Sequence, residues 1–138
     1  MNITKRITKN PREVIIGGNF KQYIVLHHTA SSSTFNAIIN YFRQPDYKSI
    51  HYIVSKDGEV FQYVDDDDIA FHAGVSEWKG KTDINRHSIG IEVHSDGVNF
   101  TPKQTDETIN LCRELMLKYN ISKENVLRHA DVAMPRGR

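Results

Sequence analysis

Short β-branched runs alternate along this 138-residue chain with segments of helical periodicity, and this alternation constrains the fold more than any other feature. The apolar runs at residues 23–27 and 88–93 have the composition of buried strands. Residues 51–55 and 59–64 flank Lys56-Asp57-Gly58, which predicts a β-hairpin with glycine in the turn. Strands that alternate with helices predict an α/β fold, in which helices pack on the faces of a mixed sheet.

Two segments carry the start signals and apolar periodicity of helices. Residues 31–34 offer N-cap side chains to a short helix that ends near Phe42. The run TPKQ at residues 101–104 combines a Thr cap, Pro in the first turn and Gln in a capping box, which predicts a helix to about Tyr119. Cys112 lies on the apolar face of that helix, so we interpret it as a core residue.

Composition and charge exclude several classes of partner. The chain has 18 Lys and Arg against 17 Asp and Glu, whereas nucleic-acid binders usually carry a basic excess. No apolar run approaches the length of a membrane span, and the N-terminus lacks the apolar stretch of a signal peptide. We therefore expect no nucleic-acid partner and no membrane insertion. The length of the chain fits one domain over residues 1–138, and we expect a monomer.

Several charged or titratable residues are interpreted as solvent-facing. The four consecutive acids at residues 65–68 lack the spaced ligands of a calcium loop, so a solvated loop is predicted there. His87 and His94 are predicted as surface residues.

Two histidines stand at the ends of predicted strands, where ligands and catalytic groups gather in sheet proteins. His27 closes the strand in YIVLHHTA, and His129 follows the strand in NVLRHADVA. Widely separated imidazoles are compatible with catalytic zinc, which takes three protein ligands and leaves a fourth position for water. The spacing alone leaves open that each is a hydrogen-bonded structural histidine.

Glu92 is the third candidate, because it falls in the apolar strand SIGIEV. A carboxylate in a buried strand is costly unless it is paired or functional. Alternation places Glu92 with Ser88 and Gly90 on one face of the strand. The pattern is consistent with a general base beside a metal-bound water, and equally with the solvated outer face of an edge strand.

Six segments resemble, in order, successive blocks of the type-2 N-acetylmuramoyl-L-alanine amidases. This family includes phage endolysins, bacterial autolysins and animal peptidoglycan-recognition proteins, and the resemblance covers about residues 22–138. The segments are YIVLHHTA, HYIVSKDGEVFQYV, AFHAGVSEWKG, DINRHSIGIEV, FTPKQTDETINLCREL and VLRHADVAMPRGR.

The resemblance implies a Zn²⁺ hydrolase that cleaves the amide between N-acetylmuramic acid and L-alanine in bacterial peptidoglycan. His27 and His129 match zinc ligands, and Glu92 matches the acidic base of one branch of the family. The other branch has a tyrosine where this chain has Ile50. The remaining matches are substrate-groove residues (His72, Trp78, Asn85) and positions that we interpret as structural (His28, Thr29, His51).

One departure from the family concerns its third zinc ligand, an Asp or Cys that follows the second histidine by about eight to twelve residues. The sequence stops at Arg138, so we expect a catalytic domain truncated at its C-terminus that holds zinc weakly. Asp131 matches an acidic position that is not usually a ligand, and Arg136 and Arg138 are weak substitutes for the family's oxyanion-stabilising lysine.

Two functions are therefore considered. Because no signal peptide is visible, the first is an amidase of the phage endolysin kind, made in the cytoplasm of the producing cell and acting on the cell wall after release. The alternative, which the missing third ligand favours, is a module that binds the muropeptide without cleaving it.

Overall fold

The computed structural model describes residues 1–28, 48–96 and 98–136. Within these ranges the sheet-forming segments are short and the single long helix lies near the C-terminus. The helix predicted between residues 31 and 42, and Thr29, lie outside the described residues. The strands are β1 (Ile3–Lys5), β2 (Val14–Ile15), β3 (Tyr23–His28), β4 (Tyr52–Val54), β5 (Val60–Gln62), β6 (Ile69–Ala70), β7 (Glu77–Trp78), β8 (Lys81–Thr82), β9 (Ser88–Val93) and β10 (Val126–Arg128), and the helices are α1 (Pro102–Tyr119) and α2 (His129–Val132).

Six strands form one mixed sheet in the order β1-β5-β4-β9-β3-β10. β4, β9, β3 and β10 run parallel to one another, while β5 is antiparallel to β4 and β1 is parallel to β5. β2 pairs with β6 and β7 pairs with β8 in two small sheets. The predicted α/β class, the hairpin and the strands at residues 23–27 and 88–93 are confirmed.

Helix α1 covers one face of the sheet. Its buried residues Leu111, Cys112 and Leu115 pack against alternate positions of β3 and β9, among them Ile24 and Ile91. Cys112 is therefore a core residue, as predicted. The opposite face is covered by the segment between β6 and β9 and by α2, through a second cluster of buried residues (Val25, Ala73, Ile84, Leu127, Val132).

The start of α1 confirms the predicted Thr cap but not the capping box, because the Gln104 side chain donates to the His94 carbonyl instead. The Thr101 side chain accepts a hydrogen bond from the Gln104 backbone N–H, and its hydroxyl donates to the Lys56 carbonyl in the hairpin turn. Loss of an N-cap hydroxyl costs about 0.5–2 kcal/mol. We expect Thr101→Ala to lower the free energy of unfolding by that amount in urea titrations, with Thr101→Ser close to wild type because it keeps the hydroxyl.

Two of the surface predictions are wrong. Asp68 is buried, at 3% exposure, because its carboxylate oxygens accept hydrogen bonds from the Gly17 backbone N–H and from Lys9 Nζ. His94 is also buried, at 3% exposure, because the start of α1 covers the end of β9 and Gln104 Nε2 donates to its carbonyl. His87 is half-buried and stacks on Phe20.

The acidic run is in fact a junction between the sheet and α1. Asp66 accepts hydrogen bonds from the hydroxyls of Tyr52 in β4 and Tyr119 at the end of α1. Burial and the adjacent Asp66 raise the pKa of both phenols, so they stay protonated donors.

No helix among the described residues combines the length and apolar character needed to span a bilayer.

Candidate active site

The carboxyl ends of the parallel strands β3, β9 and β10 meet at one edge of the sheet. The register pairs His27 of β3 with Glu92 of β9, so both side chains lie on the same face. Leu127 of β10 pairs with Val25 on this face, and His129 follows two residues later. β9 lies between β4 and β3, and the edge-strand interpretation of Glu92 is therefore wrong.

The rings of His27 and His129 lie side by side. Their centroids are 5.0 Å apart, with an angle of 44° between the ring planes. Burial, together with the neighbouring His129 and His28, lowers the pKa of His27 to about 3. His27 is therefore neutral at physiological pH, which is the form of imidazole that binds a metal ion.

Glu92 is 7% exposed in the middle of the sheet. Desolvation raises the pKa of its carboxyl group to about 8. A carboxyl group with a raised pKa, paired in register with His27, has the character of an acid-base catalyst, because such groups work best with a pKa near the operating pH.

His72 lies against His27 rather than on an open surface. Its Nδ1 is 2.9 Å from Nε2 of His27, and its Nε2 is 3.1 Å from Oγ of Ser88. Burial and the neighbouring histidines hold the pKa of His72 well below its usual range, so this ring is neutral as well. Substrate binding by His72 stays a prediction.

Asn85 and Trp78 organise the segment that covers this face of the sheet. The Asn85 side chain is buried, and its Oδ1 accepts hydrogen bonds from the backbone N–H groups of His72 and Ala73. Trp78 is half-buried, packs against the cluster that contains Val25, and has Lys79 Nζ 5.5 Å from its ring centroid. Their substrate contacts also remain predictions.

His51 is structural, as predicted. It is fully buried, its Nδ1 accepts a hydrogen bond from the Gly90 backbone N–H, and its Nε2 lies 2.9 Å from the Asp68 carbonyl. Because a backbone N–H can only donate, Nδ1 is the unprotonated nitrogen and Nε2 carries the hydrogen. Ile50, at the position of the other branch's tyrosine, is buried in the core.

The residues considered as substitutes near the C-terminus are engaged elsewhere. Both carboxylate oxygens of Asp131 accept hydrogen bonds from Arg128, across the first turn of α2. Arg136 forms an ion pair with Glu77 at 2.6 Å and also donates to the Glu77 carbonyl. Arg138 lies outside the described residues. Asp131 and Arg136 therefore stabilise the region around His129.

The side chains of His27, His129 and Glu92 are chemically suited to a zinc ion. Two adjacent imidazoles, on the same face of the sheet as a buried carboxyl group, are ligand types that zinc prefers. Within residues 1–28, 48–96 and 98–136, no group of three or more His, Cys, Asp or Glu side chains could hold a metal ion. The role of His27 and His129 as metal ligands stays a prediction.

The fold and the site together define an α/β protein with a histidine and glutamate cluster at the carboxyl ends of parallel strands. The family model of N-acetylmuramoyl-L-alanine amidases (Amidase_2) matches residues 17–138, and the chain belongs to this family. The resemblance drawn from the six sequence blocks is thereby confirmed.

Two curated relatives illustrate the similarity. The chain is 32% identical over 130 residues to the N-acetylmuramoyl-L-alanine amidase AmiD of Escherichia coli (strain K12), covering 82% of this chain and 46% of AmiD. It is 31% identical over 110 residues to the N-acetylmuramoyl-L-alanine amidase XlyA of Bacillus subtilis (strain 168), covering 78% of this chain and 36% of XlyA. The chain thus spans about half the length, or less, of these relatives.

Solved structures share the fold. AmiD from E. coli, in complex with anhydro-N-acetylmuramic acid-L-Ala-D-γ-Glu-L-Lys, superposes with a TM-score of 0.74 at 30% identity, over 81% of this chain and 49% of that chain. A mutant endolysin from Bacillus subtilis superposes with a TM-score of 0.75 at 30% identity, over 94% and 84% of the two chains.

Proposed function

We propose that this chain is a zinc-dependent hydrolase that cleaves the amide between N-acetylmuramic acid and L-alanine in peptidoglycan. The observation that carries this proposal is the position of His27, His129 and Glu92 on one face, where three parallel strands end. Family membership and the muropeptide bound to AmiD support a substrate of this class. The cell wall is the proposed place of action, and the likeness to an endolysin supports it.

His27 and His129 would hold the ion through their imidazole nitrogens. When bound, zinc supplies Lewis acidity towards the scissile carbonyl. The positive charge of a bound zinc ion would favour the carboxylate form of Glu92, because an opposite charge offsets the cost of desolvation. Glu92 would then accept a proton from the attacking water and deliver it to the departing nitrogen. The carbon–nitrogen bond breaks, which leaves a carboxylate on the lactyl group and a free amine on L-alanine.

Metal removal tests this proposal. We expect a chelator to abolish release of free stem peptide from purified cell walls, and added Zn²⁺ to restore it, because the carbonyl loses its Lewis acid. His27→Ala and His129→Ala should each lower both bound zinc and stem-peptide release. His87→Ala is the matched control, since this half-buried histidine stacks on Phe20 and is not part of the cluster. Activity that persists in chelator would overturn the zinc assignment.

A binding module that holds the muropeptide without cleaving it is the second candidate. It is favoured by the finding that no group of three or more His, Cys, Asp or Glu side chains among the described residues could hold a metal ion, whereas catalytic zinc takes three protein ligands. Such a module would bind purified muropeptide in a pull-down or by calorimetry, while zinc-supplemented protein would release no stem peptide.

A further inference from the structure

The His72 ring lies between His27 and the amino end of β9. It is hydrogen-bonded through Nδ1 to His27 Nε2, at 2.9 Å, and through Nε2 to Ser88 Oγ, at 3.1 Å. Its ring centroid is 5.1 Å from that of His27, with the two planes at 87°. This edge-on arrangement points a nitrogen of each ring at the other.

The hydrogen bonds of Ser88 decide which nitrogens carry hydrogen. Ser88 Oγ is 2.7 Å from the Ile84 carbonyl, which can only accept, so the single hydroxyl hydrogen is donated there. Ser88 Oγ therefore accepts from His72, and Nε2 of His72 is the protonated nitrogen. A neutral His72 then has its lone pair on Nδ1 and must accept from Nε2–H of His27. By elimination, the lone pair of a neutral His27 is on Nδ1.

Gly90 is what lets His72 occupy this position. A Cβ atom at Gly90 would lie 2.6 to 2.8 Å from three atoms of the His72 ring, closer than side chains approach one another. The ring thus lies directly on the backbone of β9, where only a glycine leaves room. The Gly90 backbone N–H also donates to His51 Nδ1, so Gly90 contacts the buried rings of both His51 and His72.

We propose that His72 is a positioning residue that fixes the orientation and tautomer of His27, and so presents its Nδ1 lone pair to zinc. Ser88 and Gly90 support His72 in this role. The inference rests on the proposed zinc function and deepens it, because it assigns His72 to the support of a metal ligand rather than to the substrate groove. Partners of this kind typically change metal affinity about 10–100-fold.

The first test needs no metal. Imidazole ¹⁵N shifts of the metal-free wild-type protein report which ring nitrogen carries hydrogen. We expect both His27 and His72 as Nε2–H tautomers, and a mixture of tautomers at His27 in His72→Phe. A wild-type His27 in the Nδ1–H form would overturn the proposal whether or not the protein binds zinc.

The second test is zinc affinity, measured by competition with a chromophoric chelator. His72→Phe keeps a ring but loses the acceptor, and we expect its zinc dissociation constant to rise about 10–100-fold. His72→Asn carries an oxygen near the position of Nδ1 and should recover most of the affinity. His87→Phe, the same change at a half-buried histidine away from the cluster, should match wild type.

The outcomes separate this inference from the proposed function. Equal zinc affinity in wild type and folded His72→Phe would overturn the positioning role and leave zinc hydrolysis intact. Wild-type protein that binds zinc no better than His27→Ala would overturn the zinc function, while the ¹⁵N shifts still decide the tautomers. Should His72→Phe not fold, Ser88→Ala is the second variant. It frees the His72 tautomer, and an unchanged His27 tautomer and zinc affinity would then contradict the proposal.

Discussion

Glu92→Gln is expected to lower amidase turnover by roughly 10²–10⁴-fold, the usual contribution of a general acid-base group. Glutamine matches the shape of the protonated carboxyl group but can neither accept a proton from water nor deliver one to the departing nitrogen. Glu92 is buried in the centre of the sheet, and because the two side chains have the same shape, the amide should fit there without rearrangement. Rates of stem-peptide release from purified cell walls, at saturating zinc, measure the effect.

The control for this variant is Glu59→Gln, which makes the same chemical change at an exposed glutamate next to the hairpin turn. It should retain wild-type turnover. Zinc content of Glu92→Gln should remain close to wild type, and so should its unfolding transition near pH 4.5, where the Glu92 carboxyl group is protonated in the folded state. A variant that unfolds more readily yet keeps its activity per folded molecule would instead make Glu92 a structural residue.

The second large effect concerns stability against pH in the metal-free protein. Burial raises the pKa of Glu92 from an ordinary value of 4.5 to about 8, so the folded state holds this proton more tightly than the unfolded state. Its contribution to stability is fully present below about pH 4.5 and is lost as the pH rises towards 8. One pKa unit corresponds to ~1.36 kcal/mol, so the loss amounts to at most about 5 kcal/mol.

Glu92→Gln removes this titration, because glutamine remains neutral. In urea titrations with chelator present, the variant should equal wild type near pH 4.5 and exceed it at pH 9 by up to about 5 kcal/mol. Glu59→Gln should follow the wild-type curve throughout. A stability difference between Glu92→Gln and wild type that stays constant from pH 4.5 to 9 would mean that Glu92 is not desolvated in the folded state.

The two expectations for Glu92 are connected. A carboxylate buried without compensation lowers stability, and the same burial brings its pKa into the range where it can exchange protons with a substrate. Residues at active sites commonly exchange stability for function in this way.

The sequence by itself determined the elements whose signals are local. The bounds of α1 follow from the Thr101 cap and the apolar spacing up to Tyr119, and the hairpin follows from the turn at Gly58. Both depend on residues within a few positions of one another, so the chain specifies them before any long-range contact forms. Strand-end histidines and the buried Glu92 could likewise be identified as candidates from their positions in apolar runs.

Only the tertiary structure decided how these candidates meet. The strand order sets β9 between β3 and β4, which buries Glu92 and pairs it with His27, whereas alternation alone left an exposed edge strand equally possible. The burial of Asp68 and His94 likewise depends on partners far away in sequence or on the packing of α1.

The environment of His72 is the clearest case. The sequence block that contains His72 matched it to a substrate-groove residue of the family. Its contacts with His27, Ser88 and Gly90, however, join a loop to two strands. The glycine of SIGIEV was the one local signal, since a glycine inside a strand often marks the close approach of another group. Which group approaches is fixed by the fold, because hydrogen bonds and steric fit between distant segments exist only once the sheet has assembled.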